Sequence, residues 1–274
     1  MKLKEFRSRI GLTQKQLAEQ MNTTQQTVAR WETGKTILNV DQIRDLCVVL
    51  ECTADELLGW ETGAEGLMSS PFSSVGSEGA YGTLHIKTTC GTREYPIGLN
   101  ARKTLLSQAE ATGPINANNS SDWLSTWSLN NRLLLINPSY LRGFQLISDD
   151  VEAMPSFEHP EVYRALENWP DIKAKGKTWE QCQNLVSRLE DEQAVSRLVS
   201  QVRITYEDGT DDWCLLSDET ATTWFELGMA SPSVGQNSFV KIDKEGGEVA
   251  TFANLGRVVM IEIPTDLYLR LISD

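Results

Sequence analysis

Gln25 and Gln26 stand in the run Thr24-Gln25-Gln26-Thr27, at the exposed start of a predicted helix. A glutamine amide carries a donor and an acceptor side by side, matching N6 and N7 of adenine in the major groove of double-stranded DNA. At the N-terminus of a helix that enters that groove, such side chains are equipped to read bases.

Positioning them requires a second helix and a fixed turn. The stretch LTQKQLAEQMNTTQQTVARWETGKT (12–36) has that form: one helix over 13–21, an Asn-Thr turn, and a second helix over about 24–32. Leu17, Ala18, Met21 and Val28 supply the apolar face between them, and Ala18 is small where helices cross closely. Thr13 with Gln16 and Thr53 with Glu56 have the capping-box spacing, so helix starts near Thr13 and Thr53 have a local chemical cause. Breaks at Gly11, at Asn22, around Gly34 and at Cys52 divide residues 1–60 into five short helices.

Arg7, Leu12-Thr13-Gln14, Leu17-Ala18, the TTQQ run, Trp31-Glu32 and Gly34 resemble the pattern of the Cro/CI-type (XRE) helix-turn-helix family, in particular the repressors of lambdoid phages. The resemblance spans about residues 2–60, under a quarter of the chain. It implies an all-α, five-helix, lambda-repressor-like DNA-binding domain. It further implies that Gln25 and Gln26 contact base edges with Thr24 and Arg30 beside them. Gln14 would hold a phosphate from the start of its helix, Lys35 would touch the backbone past the recognition helix, and Arg7 and Glu32 would form a structural salt bridge. Trp31 is read as a packing residue. One departure matters: Ile37-Leu38-Asn39-Val40 stands where the family's nearest members carry basic residues. A weaker phosphate grip and a shallower salt dependence are expected.

A net charge of −13 argues at first against a nucleic-acid partner. Its distribution reverses the argument. Residues 1–60 hold eight Lys and Arg against eight Asp and Glu, so the whole excess lies beyond position 60. The acidity belongs to a different module, which it keeps off DNA.

The chain's 274 residues suffice for two or three domains, and multidomain organisation is expected. No apolar run approaches the roughly 18 residues of a membrane helix, and MKLKEFRSRIG lacks the form of a signal peptide, so a cytoplasmic protein without membrane contact is expected. Cys47, Cys52, Cys90, Cys182 and Cys214, odd in number and irregular in spacing, read as reduced core thiols.

We divide the chain into a helix-turn-helix domain (1–60), a Gly/Ser-rich flexible linker (61–80), a first α+β repeat (81–150), a helical connector (151–199) and a second α+β repeat (200–274). The repeat rests on two ordered blocks. LHIKTTCGTREYPI (84–97) aligns on VRITYEDGTDDWCL (202–215), and LSTWSLNNRLLLINPSYLRGFQLISD (124–149) on VATFANLGRVVMIEIPTDLYLRLISD (249–274). With helices over 100–111 and 218–227 between the blocks, each unit reads strand-strand-helix-strand-strand-strand. The twin units suggest a pseudo-twofold pair of small sheets or partly open barrels.

Catalytic chemistry was sought and not found in the sequence. Self-cleavage would need a serine nucleophile, a general-base lysine and an Ala-Gly or Cys-Gly bond in the linker, which has neither bond. Only His85 and His159 exist, and no cysteine pair has C-x-x-C spacing, so no metal or cofactor is expected. The acidic turn 207–212 reads as a solvated hairpin tip, and Trp127 and Trp213 as repeat-equivalent core aromatics, with a ligand cleft between the copies as the alternative.

The resulting expectation is a non-enzymatic, sequence-specific regulator, a repressor that dimerises to place two recognition helices about 34 Å apart on a palindromic operator. Its acidic half would supply dimer contacts, or a surface for a small-molecule or protein effector. The alternative reading is an antitoxin or immunity-type protein whose C-terminal half binds a partner protein while the N-terminal domain autoregulates its operon.

Overall fold

The computed structural model describes residues 1–59, 80–111, 123–148, 153–170, 176–189, 191, 193–228, 238–244 and 250–271. Its helices are α1 (Leu3–Arg9), α2 (Gln14–Gln20), α3 (Gln25–Glu32), α4 (Val40–Leu50), α5 (Ala54–Leu58), α6 (Leu99–Ala111), α7 (Pro160–Leu166), α8 (Lys177–Val186), α9 (Gln193–Val199), α10 (Asp218–Gly228) and α11 (Thr265–Leu271). Its strands are β1 (Ala80–Thr88), β2 (Gly91–Gly98), β3 (Leu124–Ser128), β4 (Arg132–Ile136), β5 (Leu141–Ile147), β6 (Gln201–Tyr206), β7 (Asp211–Leu215), β8 (Phe239–Ile242), β9 (Thr251–Asn254) and β10 (Val258–Pro264). Two compact units result: Met1–Gly79 with Glu158–Asp191, and Ala80–Phe157 with Glu192–Asp274. The stretch read as a linker lies outside the described residues except for Ala80, where β1 begins. Among the described residues no helix is long and apolar enough to cross a membrane.

The first unit is all-helical. Its N-terminal part has the five expected helices, an all-α arrangement started by local chemistry. The Thr13 and Thr53 side chains accept from the backbone N–H groups of Gln16 and Glu56, and the Gln16 and Glu56 side chains return the bond. Asn39 with Gln42 forms a third such box at the start of α4. Leu3, Leu17, Val28, Trp31, Leu46, Leu50 and Leu57 interlock into one core.

Two later helices complete this unit. Of the segment read as a connector, α7 and α8 pack against α4, while α9 falls in the second unit. Helix α8 starts at Gly176, which has no capping side chain, and Asp45 of α4 takes over that role for Thr178. The fit is close enough that a Cβ on Gly176 would come within 1.9 Å of Asp45 Oδ2. Glu161 lies 3.5 Å from Arg44 and 2.6 Å from Arg164. His159 caps α7 by accepting from the Glu161 N–H at 3.2 Å, and its Nε2 lies 3.2 Å from the Cys52 carbonyl oxygen.

The second unit contains three antiparallel sheets, in the orders β2-β1-β5, β3-β4-β10-β6-β7 and β8-β9. Within β4, Leu133–Ile136 is uniformly apolar because both faces of the strand are covered. Leu133 and Leu135 point into a core with Ile204, Trp224 and Ile261, whereas Leu134 and Ile136 point into a second with Leu84, Ile86 and Ile97. The five-stranded sheet draws its strands from both sequence halves. Leu135 pairs with Ile261 and Ile136 with Met260 at its centre.

The expected pair of separate sheets is not formed, since β3 and β4 of the first copy join β10, β6 and β7 of the second, and one expected element also differs. The alignment places a strand over 265–274 opposite β5, but the structure has helix α11 there. Pro264 ends β10, Asp266 lies in the first turn of α11, and the buried Tyr268 and partly buried Leu271 have helical spacing. The aligned segment of the first block has Gly143 at φ 153°, which favours an extended chain.

The hairpin tips are tied by charge. Arg93 lies 2.6 Å from Glu262 and 3.2 Å from Asp211, and Arg203 bonds to the same two carboxylates. In the acidic turn Glu207 pairs with Arg257 and Asp212 with Lys244, and Asp208 accepts from Thr210. Cations from outside the turn thus partner Glu207 and Asp212, while Asp208 accepts from Thr210 within it. Trp127 packs its ring 6.1 Å from that of Tyr268, and Trp213 lies beneath the guanidinium groups of Arg197 and Arg203.

Candidate nucleic-acid interface

The geometry of the first unit is set by the turn between α2 and α3. Asn22 adopts φ 48°, a conformation asparagine tolerates, and the Thr23 N–H closes on the Ala18 carbonyl at 2.9 Å. Thr24 then caps α3. Its Oγ1 accepts from the Thr27 N–H at 3.2 Å and lies 2.9 Å from the Thr27 hydroxyl. The Thr24 hydroxyl is thus engaged in starting the helix.

Val28 and Trp31 turn inward, and this rotation fixes the opposite face. Gln25, Gln26 and Arg30 are exposed on α3, with Lys35 exposed just beyond its C-terminal end. Gly34 at φ 69° allows the chain to reverse there, and the Lys35 N–H bonds to the Arg30 carbonyl at 2.9 Å. The sequence-derived residues of this helix are therefore exposed along α3 and just past its end.

Arg7 and Glu32 make their ion pair, Nε to Oε1, at 2.6 Å, with side chains 12% and 5% exposed. Arg7 also donates to the Leu12 carbonyl at 2.6 Å, which ties α1 to the loop before α2. Gln14, the first residue of α2, is half-buried and donates to the other Glu32 oxygen at 2.7 Å. The bond between Gln14 and Glu32 was not foreseen. Their sequence separation gives no periodic signal, and only the crossing of α2 over α3 brings them together. After Gly34 the chain presents Ile37 and Val40, 92% and 65% exposed, in place of cations.

Residues 3–57 match the helix-turn-helix family model. The match covers all of α1 to α4 and most of α5. The HTH-type transcriptional activator BcrR of Enterococcus faecalis is 37% identical over 60 residues, which is 22% of this chain and 29% of that protein. The chain thus spans less than a third of the curated relative it matches. No solved structure matches the chain. The family-model match lies within the first unit, and the second unit is described by its own geometry.

Two further observations concern the described residues. No group of three or more His, Cys, Asp or Glu side chains is placed to hold a metal ion among them. Burial pushes the thiols of Cys182 and Cys214 up to about 11 and about 12, away from the reactive thiolate.

Proposed function

We propose that this protein is a sequence-specific DNA-binding transcriptional regulator that acts as a homodimer and lowers transcription from its operator. The observation that carries the reading is the exposure of Gln25 and Gln26 together on the first turn of α3, on a helix whose opposite face is locked by Val28 and Trp31. Arg30 and Thr24 flank them, and in this reading Gln14 and Lys35 contact phosphates. The named relative supports transcriptional regulation. Because its name is that of an activator, activation is the second reading.

A lone helix-turn-helix touches too few bases for useful specificity, so a second copy is required. We assign the pairing and sensing functions, without catalysis, to the second unit, built as a duplicated α+β element. Two features support duplication. Leu135 aligns with Met260 and Ile136 with Ile261, and these four residues pair crosswise, as a twofold axis between β4 and β10 requires. Arg93 and Asp211 are also equivalent positions, and they bond to one another at 3.2 Å.

Fragmented genomic DNA captured on the full chain and sequenced tests the reading. A small set of enriched sites with a shared inverted repeat is expected, and a promoter carrying one should fall in reporter output when the protein is present. A rise would establish activation, and capture without sequence preference would refute specific recognition.

A further inference from the structure

Glu32 ends α3 with its carboxylate withdrawn from solvent, and the two oxygens serve different helices. Oε1 receives Arg7 Nε at 2.6 Å, and Oε2 receives Gln14 Nε2 at 2.7 Å. A carboxylate only accepts hydrogen bonds, so the Gln14 amide must turn its nitrogen toward Glu32. One of its two N–H bonds is consumed. Because the amide is planar, the direction of the second is fixed as well. Arg7 meanwhile cancels the charge of Glu32, so the carboxylate does not repel an anion approaching the start of α2.

We infer that Glu32 is a positioning residue for the DNA backbone, holding the Gln14 amide in the single orientation that offers its second N–H to a phosphate. The inference rests on the reading that Gln14 contacts a phosphate. It gives the Arg7–Glu32 pair a role beyond stability, since the same carboxylate that joins α1 to α3 sets a donor on α2.

A double-mutant cycle on the full chain tests it, using a duplex enriched from a random-sequence pool as the probe. Gln14→Ala lowers affinity roughly tenfold in the native background, the size of a hydrogen bond to a charged group. In a Glu32→Ala background the same change costs less than about twofold, because the amide there is no longer held. The charge left on Arg7 is common to both arms and cancels. A purely structural Glu32 would leave the effect of Gln14→Ala the same in both backgrounds, which overturns the inference. If Gln14→Ala costs nothing in either background, the phosphate contact itself is wrong and the inference falls with it.

Should Glu32→Ala not fold, amide resonances of the native chain with 15N-glutamine decide the matter. One Gln14 side-chain proton is expected to be protected from exchange before duplex is added, and the other to shift on its addition. Two freely exchanging protons would contradict the orientation.

Discussion

The Asp45 carboxylate accepts from both the backbone N–H of Thr178, at 3.0 Å, and its hydroxyl, at 2.8 Å. A residue of α4 in the helix-turn-helix domain thereby caps a helix 133 positions away. Asp45→Ala should destabilise the first unit by ~1–2 kcal/mol, the usual cost of a lost cap, while Asp45→Asn should lose less because its amide oxygen still accepts. Denaturant unfolding of the full chain followed by tryptophan fluorescence provides the check. Equal stability of native protein and Asp45→Ala would show that α8 contributes nothing to this domain.

Acid should loosen a second contact of this unit, between the start of α7 and the Cys52 carbonyl. His159 is held neutral, donating to the Cys52 carbonyl and accepting from the Glu161 N–H, and burial with Arg164 nearby lowers its pKa from 6.5 to about 4. Arg44 and Glu161 complete the charged groups around it. The folded state takes up fewer protons than the unfolded chain, so this stabilisation is present above pH 6.5 and drains away as pH falls toward 4. Between pH 7 and pH 4.5 the loss should be about 2 kcal/mol, allowing for partial exposure. His159→Gln should flatten that pH dependence, and an unchanged profile would rule out the histidine as its source.

Ile37 offers a gain-of-function test. It is 92% exposed in the segment that follows α3. Ile37→Arg should tighten binding to any duplex and steepen the plot of log affinity against log salt by about 1.8, the signature of one added phosphate contact from each subunit of the dimer. An unaltered slope would place this segment away from the DNA.

In the second unit, Arg93→Met should destabilise the fold by ~2–4 kcal/mol, because it takes from Glu262, 7% exposed, its 2.6 Å ion-pair partner and leaves the longer 3.4 Å contact to Arg203. Thermal unfolding monitored by near-UV circular dichroism reads the change. DNA affinity per folded dimer should stay at the native value.

The helix-turn-helix domain was legible in the sequence because its signals are local. Thr13 with Gln16 and Thr53 with Glu56 announce helix starts, and Val28 with Trp31 shows which face of α3 turns inward. The hairpins β1-β2 and β6-β7 were legible for the same reason, through alternation around a Gly-Thr turn. What was hidden depends on distant partners. Asp45 and Thr178 look like ordinary surface polar residues until α8 is laid on α4. Gln14 is read from the sequence as a phosphate ligand, and nothing in its spacing announces Glu32 as its partner. Helix α11 is hidden by the likeness of its sequence to β5, although Pro264, Asp266 and Tyr268 carry local helix signals.

The central claim is that Gln25 reads a base. Affinity of the full chain and of Gln25→Ala should be measured on the enriched duplex and on a scrambled duplex of the same length and composition. The account predicts a loss of ~1–3 kcal/mol on the enriched duplex and none on the scrambled one. Equal losses on both would show that Gln25 makes no sequence-specific contact, and would contradict recognition through the start of α3.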